Sequence, residues 1–246
     1  MILHGFHAVL GRLRRDATSI SAVYVDASRR DPRMRALLAQ AERQGVAIKR
    51  VDAQRIEGLA PGRKHQGLVA LSESAPPGTS IEELFADPLR LPRVLLLDGV
   101  TDPRNLGACL RVADGVGLHA VIAPKDHACP LSEAAMQTAA GAAETVPYLL
   151  VTNLTRCMGE LKERGLWLVG LDEGAADTLW GASWPDQGSA FVLGAEGKGL
   201  RRLVRESCDL LVRIPMLGST ESLNVAVATG VVLYEALRRQ PREPHS

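Results

Sequence analysis

The residues with the most chemical promise lie in a glycine-rich stretch, Gly194-Ala195-Glu196-Gly197-Lys198-Gly199. It follows an apolar run and precedes a helical pattern, a position where bare backbone N–H groups can approach an anionic or adenosyl ligand closely. It lacks the four-residue gap and the hydroxyl residue after Lys198 that a P-loop needs, and an ordinary strand-to-helix turn has the same composition. A second pattern, Gly115-Val116-Gly117-Leu118-His119-Ala120, has dinucleotide-like spacing but runs from a helix into a strand, the reverse of the required order. The six histidines and the acidic residues form no zinc or paired-carboxylate constellation, and there is no G-x-S-x-G elbow. Hydrolase chemistry is therefore disfavoured, and no metal is expected.

From Arg93 onward, apolar runs alternate with helical segments. The runs are residues 94–97, 120–123, 146–151, 166–171, 191–193 and 210–214; the helical segments are 105–115, 132–140, 154–164, 200–205 and 223–239. This alternation predicts a parallel sheet with helices on both faces, a C-terminal α/β domain over 93–246. Ligands of such sheets sit beyond the carboxyl ends of the strands, which draws attention to the loops after Leu97, Leu193 and Ile214.

Residues 1–71 read as a smaller α/β domain. A helix over 4–14 places Phe6, Val9, Leu10 and Leu13 on one face, a strand follows at 20–25, and Asp31-Pro32 starts a helix that Gly45 stops. Strands at 46–51 and 67–71 complete the unit. Residues 72–92, with four prolines, read as a linker in which 81–85 could form a helical turn. The net charge of +1 hides an asymmetry: residues 1–71 hold 13 Lys/Arg against 6 Asp/Glu, so the excess positive charge is confined to the first third. That suits contact with a polyanion, although solvated helix faces would look the same. Aromatic residues make up only 4%, which argues for phosphate and shape contacts over base stacking. The scattered cysteines Cys109, Cys129, Cys157 and Cys208 read as core thiols. With neither a leader nor a membrane-spanning run expected, a cytoplasmic setting follows.

Three segments taken together resemble a known family. The stretch from Leu97 to Ala108 (LDGVTDPRNLGA), with Arg111 beyond it, is similar to the first motif of the SpoU/TrmH RNA ribose 2'-O-methyltransferases; Phe191 to Gly199 is similar to the second; Ile214-Pro215-Met216 followed by Ser222-Leu223-Asn224-Val225-Ala226 is similar to the third. Gly5 to Val9 and His65 to Val69 resemble the start and end of the RNA-binding domain carried by some members. The resemblance implies methyl transfer from S-adenosylmethionine to the ribose 2'-hydroxyl of a guanosine in 23S ribosomal RNA. It implies catalytic roles for Arg111, Asn105, Glu196, Ser222 and Asn224. Main-chain groups near Gly194, Ile214 and Leu223 would hold the cofactor, and Leu193, Pro215 and Met216 would wall the adenine. A trefoil knot and a homodimer come with the family, the last helix being a reasonable dimer element.

On physical grounds Arg111 orients the ribose and its phosphate, because a guanidinium stays protonated and offers only donors. Asn105 begins its helix and could also cap it. Three other readings keep parts of this pattern: a silent RNA-binding protein of the same fold, a methyltransferase acting on transfer RNA, and a small-molecule nucleotide enzyme. The last leaves the basic domain without a purpose.

Overall fold

The computed structural model describes residues 2–62, 65–72, 80–87, 91–185 and 188–240. The chain divides into two units, Met1–Gly78 with Ala140–Thr145, and Thr79–Ala139 with Val146–Ser246. Of the expected linker, 73–79 and 88–90 lie outside the described residues. Between these stretches, Ser80 and Glu83 cap each other around a 3-10 turn at Glu83–Phe85, where the sequence suggested a helical turn.

The first unit runs β1 (Ile2–His4), α1 (Phe6–Asp16), β2 (Ile20–Asp26), α2 (Pro32–Arg43), β3 (Ile48–Val51), α3 (Ala53–Leu59) and β4 (Leu68–Ser72). The sheet order is β1-β4-β2-β3, with β2 and β3 parallel and the other pairs antiparallel. Phe6, Val9 and Leu13 of α1 and Met34, Leu37 and Leu38 of α2 bury against Val23, Val25 and Leu68, whereas Leu10 is only partly covered. Ile56 of α3 packs with Ala22, Tyr24 and Val69. Asp31 and Asp52 cap α2 and α3 by accepting from Met34 N and Arg55 N. The 3-10 turn at Ala142–Glu144 belongs to this unit. Its Glu144 lies 3.6 Å from the fully buried guanidinium of Arg12. Burial holds the Glu144 carboxyl above its ordinary pKa.

The second unit comprises β5 (Val94–Asp98), α4 (Pro103–Gly115), β6 (Ala120–Pro124), α5 (Glu133–Ala139), β7 (Tyr148–Val151), α6 (Leu154–Glu163), β8 (Trp167–Leu171), β9 (Asp177–Thr178), β10 (Ser189–Gly194), α7 (Arg202–Glu206), β11 (Leu210–Arg213) and α8 (Val225–Arg239). Every pairing in its seven-stranded sheet, ordered β7-β6-β5-β10-β8-β11-β9, is parallel. Strand residues alternate between two covered faces. Val94, Leu96, Ala190 and Val192 join the core beneath α6 and α7. Their neighbours Leu95, Leu97, Phe191 and Leu193 are equally buried. Gly107 lets α4 approach α5 closely, since a Cβ there would lie 2.4 Å from the Ala135 carbonyl oxygen.

β5 and β10 are adjacent, yet the chain leaves β5 toward β6 and leaves β10 toward β11, in opposite directions across the sheet. In open parallel sheets ligands bind beyond the carboxyl ends of the strands near such a reversal.

Candidate active site

Asn105, on α4, donates from Nδ2 to Glu196 Oε1 at 2.9 Å. Asn224 donates to Asn105 Oδ1 at 3.0 Å and also to Glu196 Oε1. The backbone N of Val225 adds a further donor to that same oxygen at 3.3 Å. Three segments distant in the chain are thus tied together by one carboxylate, which accepts from both of the others. α4 and α8 pack side by side to hold the two asparagines, with Cys109 Sγ 3.3 Å from Thr229 Oγ1 between them.

The capping roles differ from those expected for Asn105. Asp102 is the cap of α4, accepting from Arg104 N at 2.6 Å and Asn105 N at 3.3 Å, so the Asn105 side chain is released for the cluster. Asn224 does cap its helix, accepting from Ala226 N and Val227 N through Oδ1 while its amide nitrogen serves Asn105 and Glu196.

The glycine-rich loop owes its shape to self-contact more than to openness. It folds back at once, Gly199 N donating to Ala195 O at 2.9 Å, and a Cβ on Gly194 would sit 2.1 Å from the Gly199 carbonyl carbon. Asp98, almost completely buried at the end of β5, anchors the far side by accepting from Arg201 N at 2.9 Å and Arg201 Nε at 2.7 Å.

Beside this loop is a cavity of about 390 Å³, within the size range of small-molecule sites, roughly 300–1,000 Å³. Of the residues singled out from sequence, Leu193, Gly194, Glu196, Ile214, Met216, Ser222 and Leu223 line it. Asn105 and Asn224 reach it through Glu196, and Pro215 is not part of the lining. Arg111 lies on the exposed side of α4, six residues after Asn105, away from the lining. Among the described residues its side chain makes neither a hydrogen bond nor an ion pair. The structure therefore brings together every expected catalytic residue except Arg111.

Sequence reasoning missed the loop after β8. Asp172, Glu173 and Gly174 line the cavity, with Arg205 pairing to Asp172 at 2.9 Å and Arg213 donating to the carbonyls of Ala175 and Ala176. The position of β8 between β10 and β11 brings this loop there, and no local pattern announces strand order. Asp98 did carry a signal, as the single acid closing an otherwise apolar strand. Among the described residues, no group of three or more His, Cys, Asp or Glu is placed to hold a metal ion. Burial pushes Cys109 up to about 11 and Cys157 and Cys208 up to about 12, which leaves these thiols protonated and poorly nucleophilic.

A parallel sheet with a preformed cavity beyond the carboxyl ends of β10, β8 and β11 is the build of an α/β enzyme that binds a nucleotide-like cofactor. Residues 92–234 match the SpoU rRNA Methylase family, and residues 2–77 match the domain described as RNA 2'-O ribose methyltransferase substrate binding. The chain is 55% identical over 240 residues to the 23S rRNA (guanosine-2'-O-)-methyltransferase RlmB of Bordetella pertussis, with 97% of each chain covered. It is 44% identical over 238 residues to the protein of the same name from Neisseria meningitidis serogroup B, with 97% of this chain and 95% of that one covered. A solved RNA 2'-O ribose methyltransferase gives a TM-score of 0.70 at 27% identity, with 97% of this chain and 88% of that one covered. The methyltransferase AviRb from Streptomyces viridochromogenes, in complex with AdoMet, shares the fold with a TM-score of 0.69 at 24% identity, with 97% and 90% covered. The chain belongs to the SpoU rRNA methylase family.

Proposed function

We propose that this protein transfers the methyl group of S-adenosylmethionine to the ribose 2'-hydroxyl of a guanosine in 23S ribosomal RNA. The observation that carries the reading is the joining of Asn105, Glu196 and Asn224 beside the cavity, in a chain 55% identical to a protein named for that reaction.

The cavity suits the cofactor. Leu193, Ile214, Met216 and Leu223 offer apolar surface to an adenine, and Glu173 and Glu221 add carboxylates that favour a ligand bearing positive charge. Bound there, S-adenosylmethionine supplies an electrophilic methyl on a sulfonium. The chain's own task is to hold the ribose oxygen in line and to stabilise the charge it develops, both of which lower the barrier through positioning and electrostatics. Arg111 is assigned to the ribose and its flanking phosphate, to which an unpaired guanidinium can offer a donor fork. Asn105 and Asn224 are positioning residues that hold Glu196 and the loop, and Ser222 contributes a hydroxyl to the cavity wall.

The same reading carries three further proposals. A trefoil knot is supported by the return of the chain after β11 to pack α8 on α4. A homodimer is supported by Val227 and Tyr234, which α8 leaves about half exposed. A cytoplasmic setting is supported by four unpaired thiols. Among the described residues, no helix is long and apolar enough to cross a membrane.

The test is incubation with labelled S-adenosylmethionine and unmodified 23S, 16S and transfer RNAs, followed by mapping of 2'-O-methyl positions. Label on one guanosine of 23S RNA is the expected result. Label confined to transfer RNA would replace the substrate, and no label on any RNA would overturn the activity.

A further inference from the structure

The first unit carries a cationic groove that the active site does not use. It lies at the carboxyl ends of the parallel pair β2 and β3, where the loop after β2 supplies Arg29 and Arg30, α2 supplies Arg35, and β3 supplies Arg50, over a floor that includes Met34 and Leu38. Residues 27–50 hold seven Lys/Arg against two Asp/Glu.

Local carboxylates do not neutralise this groove. Asp31 caps α2 and pairs with Arg29 at 2.7 Å, and Asp26 accepts from Ser28 N at 2.9 Å and Ser28 Oγ at 2.7 Å. These bonds hold both carboxyls below their ordinary pKa, with the hydrogen bonds from Ser28 and Arg29 the largest causes, so both are charged and already engaged. Arg29 also donates to the Gln66 carbonyl at 2.6 Å, which fixes the loop. Arg30, Arg35 and Arg50 remain exposed, and among the described residues their side chains make neither a hydrogen bond nor an ion pair. A cluster of unpaired guanidiniums repels itself, and a ligand that brings negative charge relieves that repulsion.

We propose that Arg30, Arg35 and Arg50 form a binding surface for the phosphodiester backbone of the RNA substrate, reading charge and not sequence. This rests on the reading above that the substrate is ribosomal RNA. Successive phosphates on one strand suit the site better than a single small anion, because the cations come from three separate elements along the groove.

The experiment measures binding of the full-length protein to an unmodified 23S RNA transcript over about 50 to 200 mM salt. It compares the wild type, the triple variant R30A/R35A/R50A and the charge-keeping variant R30K/R35K/R50K. The alanine variant is expected to lose about 100-fold in affinity at the lowest salt, and its log Kd against log salt should flatten by about 2 to 3. The lysine variant should keep the wild-type slope. All three should bind S-adenosylmethionine equally by calorimetry and melt together, since the substituted side chains are exposed. An alanine variant with the wild-type slope, or a lysine variant as impaired as the alanine one, would overturn the proposal. If the wild type itself neither bound nor methylated 23S RNA, the activity reading would fail instead.

Discussion

At the end of β10, Glu196 accepts from Asn105, Asn224 and Val225 through one oxygen, and the loop around it is closed by its own backbone and by Asp98. At the end of β2, in the other unit, only Arg29 of the groove arginines is paired, while Arg30, Arg35 and Arg50 are not. Both sites lie beyond the carboxyl ends of parallel strands, but they solve different problems. A small cofactor rewards a site whose groups are fixed before it arrives, because the site's ordering costs are then met by folding. A long flexible polyanion rewards mobile cations that can follow its phosphates. Arg111 cuts across the division, being an unpaired cation on the unit that carries the closed site.

That exception provides the strongest way to break the comparison. Arg111→Ala is expected to lower kcat by about 10²–10³-fold with cofactor affinity unchanged by calorimetry. If cofactor binding fell with it, Arg111 would belong to the closed site. Gly194→Ala should do the opposite. The added Cβ meets the Gly199 backbone at 2.1 Å, and a strain of about 1–3 kcal/mol should weaken cofactor binding by about ten- to hundredfold while RNA affinity holds. Unaltered cofactor affinity would show that the loop is not preformed.

Glu196→Ala, which strips the shared acceptor from three donors, should cost about 1 kcal/mol because the site is open enough for water to replace it. A fall in Tm of about 2–4 °C together with weakened cofactor binding is the expected outcome, and a change in neither would detach the cluster from the cavity.

The smallest effect on RNA binding and catalysis concerns paired arginines. Glu235, on α8, is held down to about 2, chiefly by the hydrogen bond from Arg238 and then by Arg239. With its carboxyl below the ordinary range in the fold, its contribution is complete above about pH 4.5 and is lost as pH falls toward 2. Glu235→Gln should remove that acid-labile part, on the order of 2 kcal/mol, and leave RNA binding untouched. A shift in RNA affinity would mean that paired arginines also serve the polyanion.

The strands of the second sheet were readable because burial on both faces writes continuous apolar runs such as Val94-Leu95-Leu96-Leu97. β1 and β9, of three and two residues, are too short to carry a period, and α3, of seven residues, is announced only by its Asp52 cap. The start of α4 at Asp102-Pro103 repeats the signal read correctly at Asp31-Pro32, so placing Asn105 at the cap overlooked a pattern that was available. The Glu196 cluster is a different case. Its members are 91 and 119 residues apart in sequence, so their contact follows only from strand order and helix packing.

The stretch Ala140–Thr145 has a consequence for how the protein is made. A nascent chain that has exposed only the segment up to Gly78 lacks one piece of its first unit, and Arg12 must wait for Glu144 to be translated before its guanidinium gains its ion-pair partner. Vectorial synthesis therefore cannot finish the leading unit before part of the second has emerged.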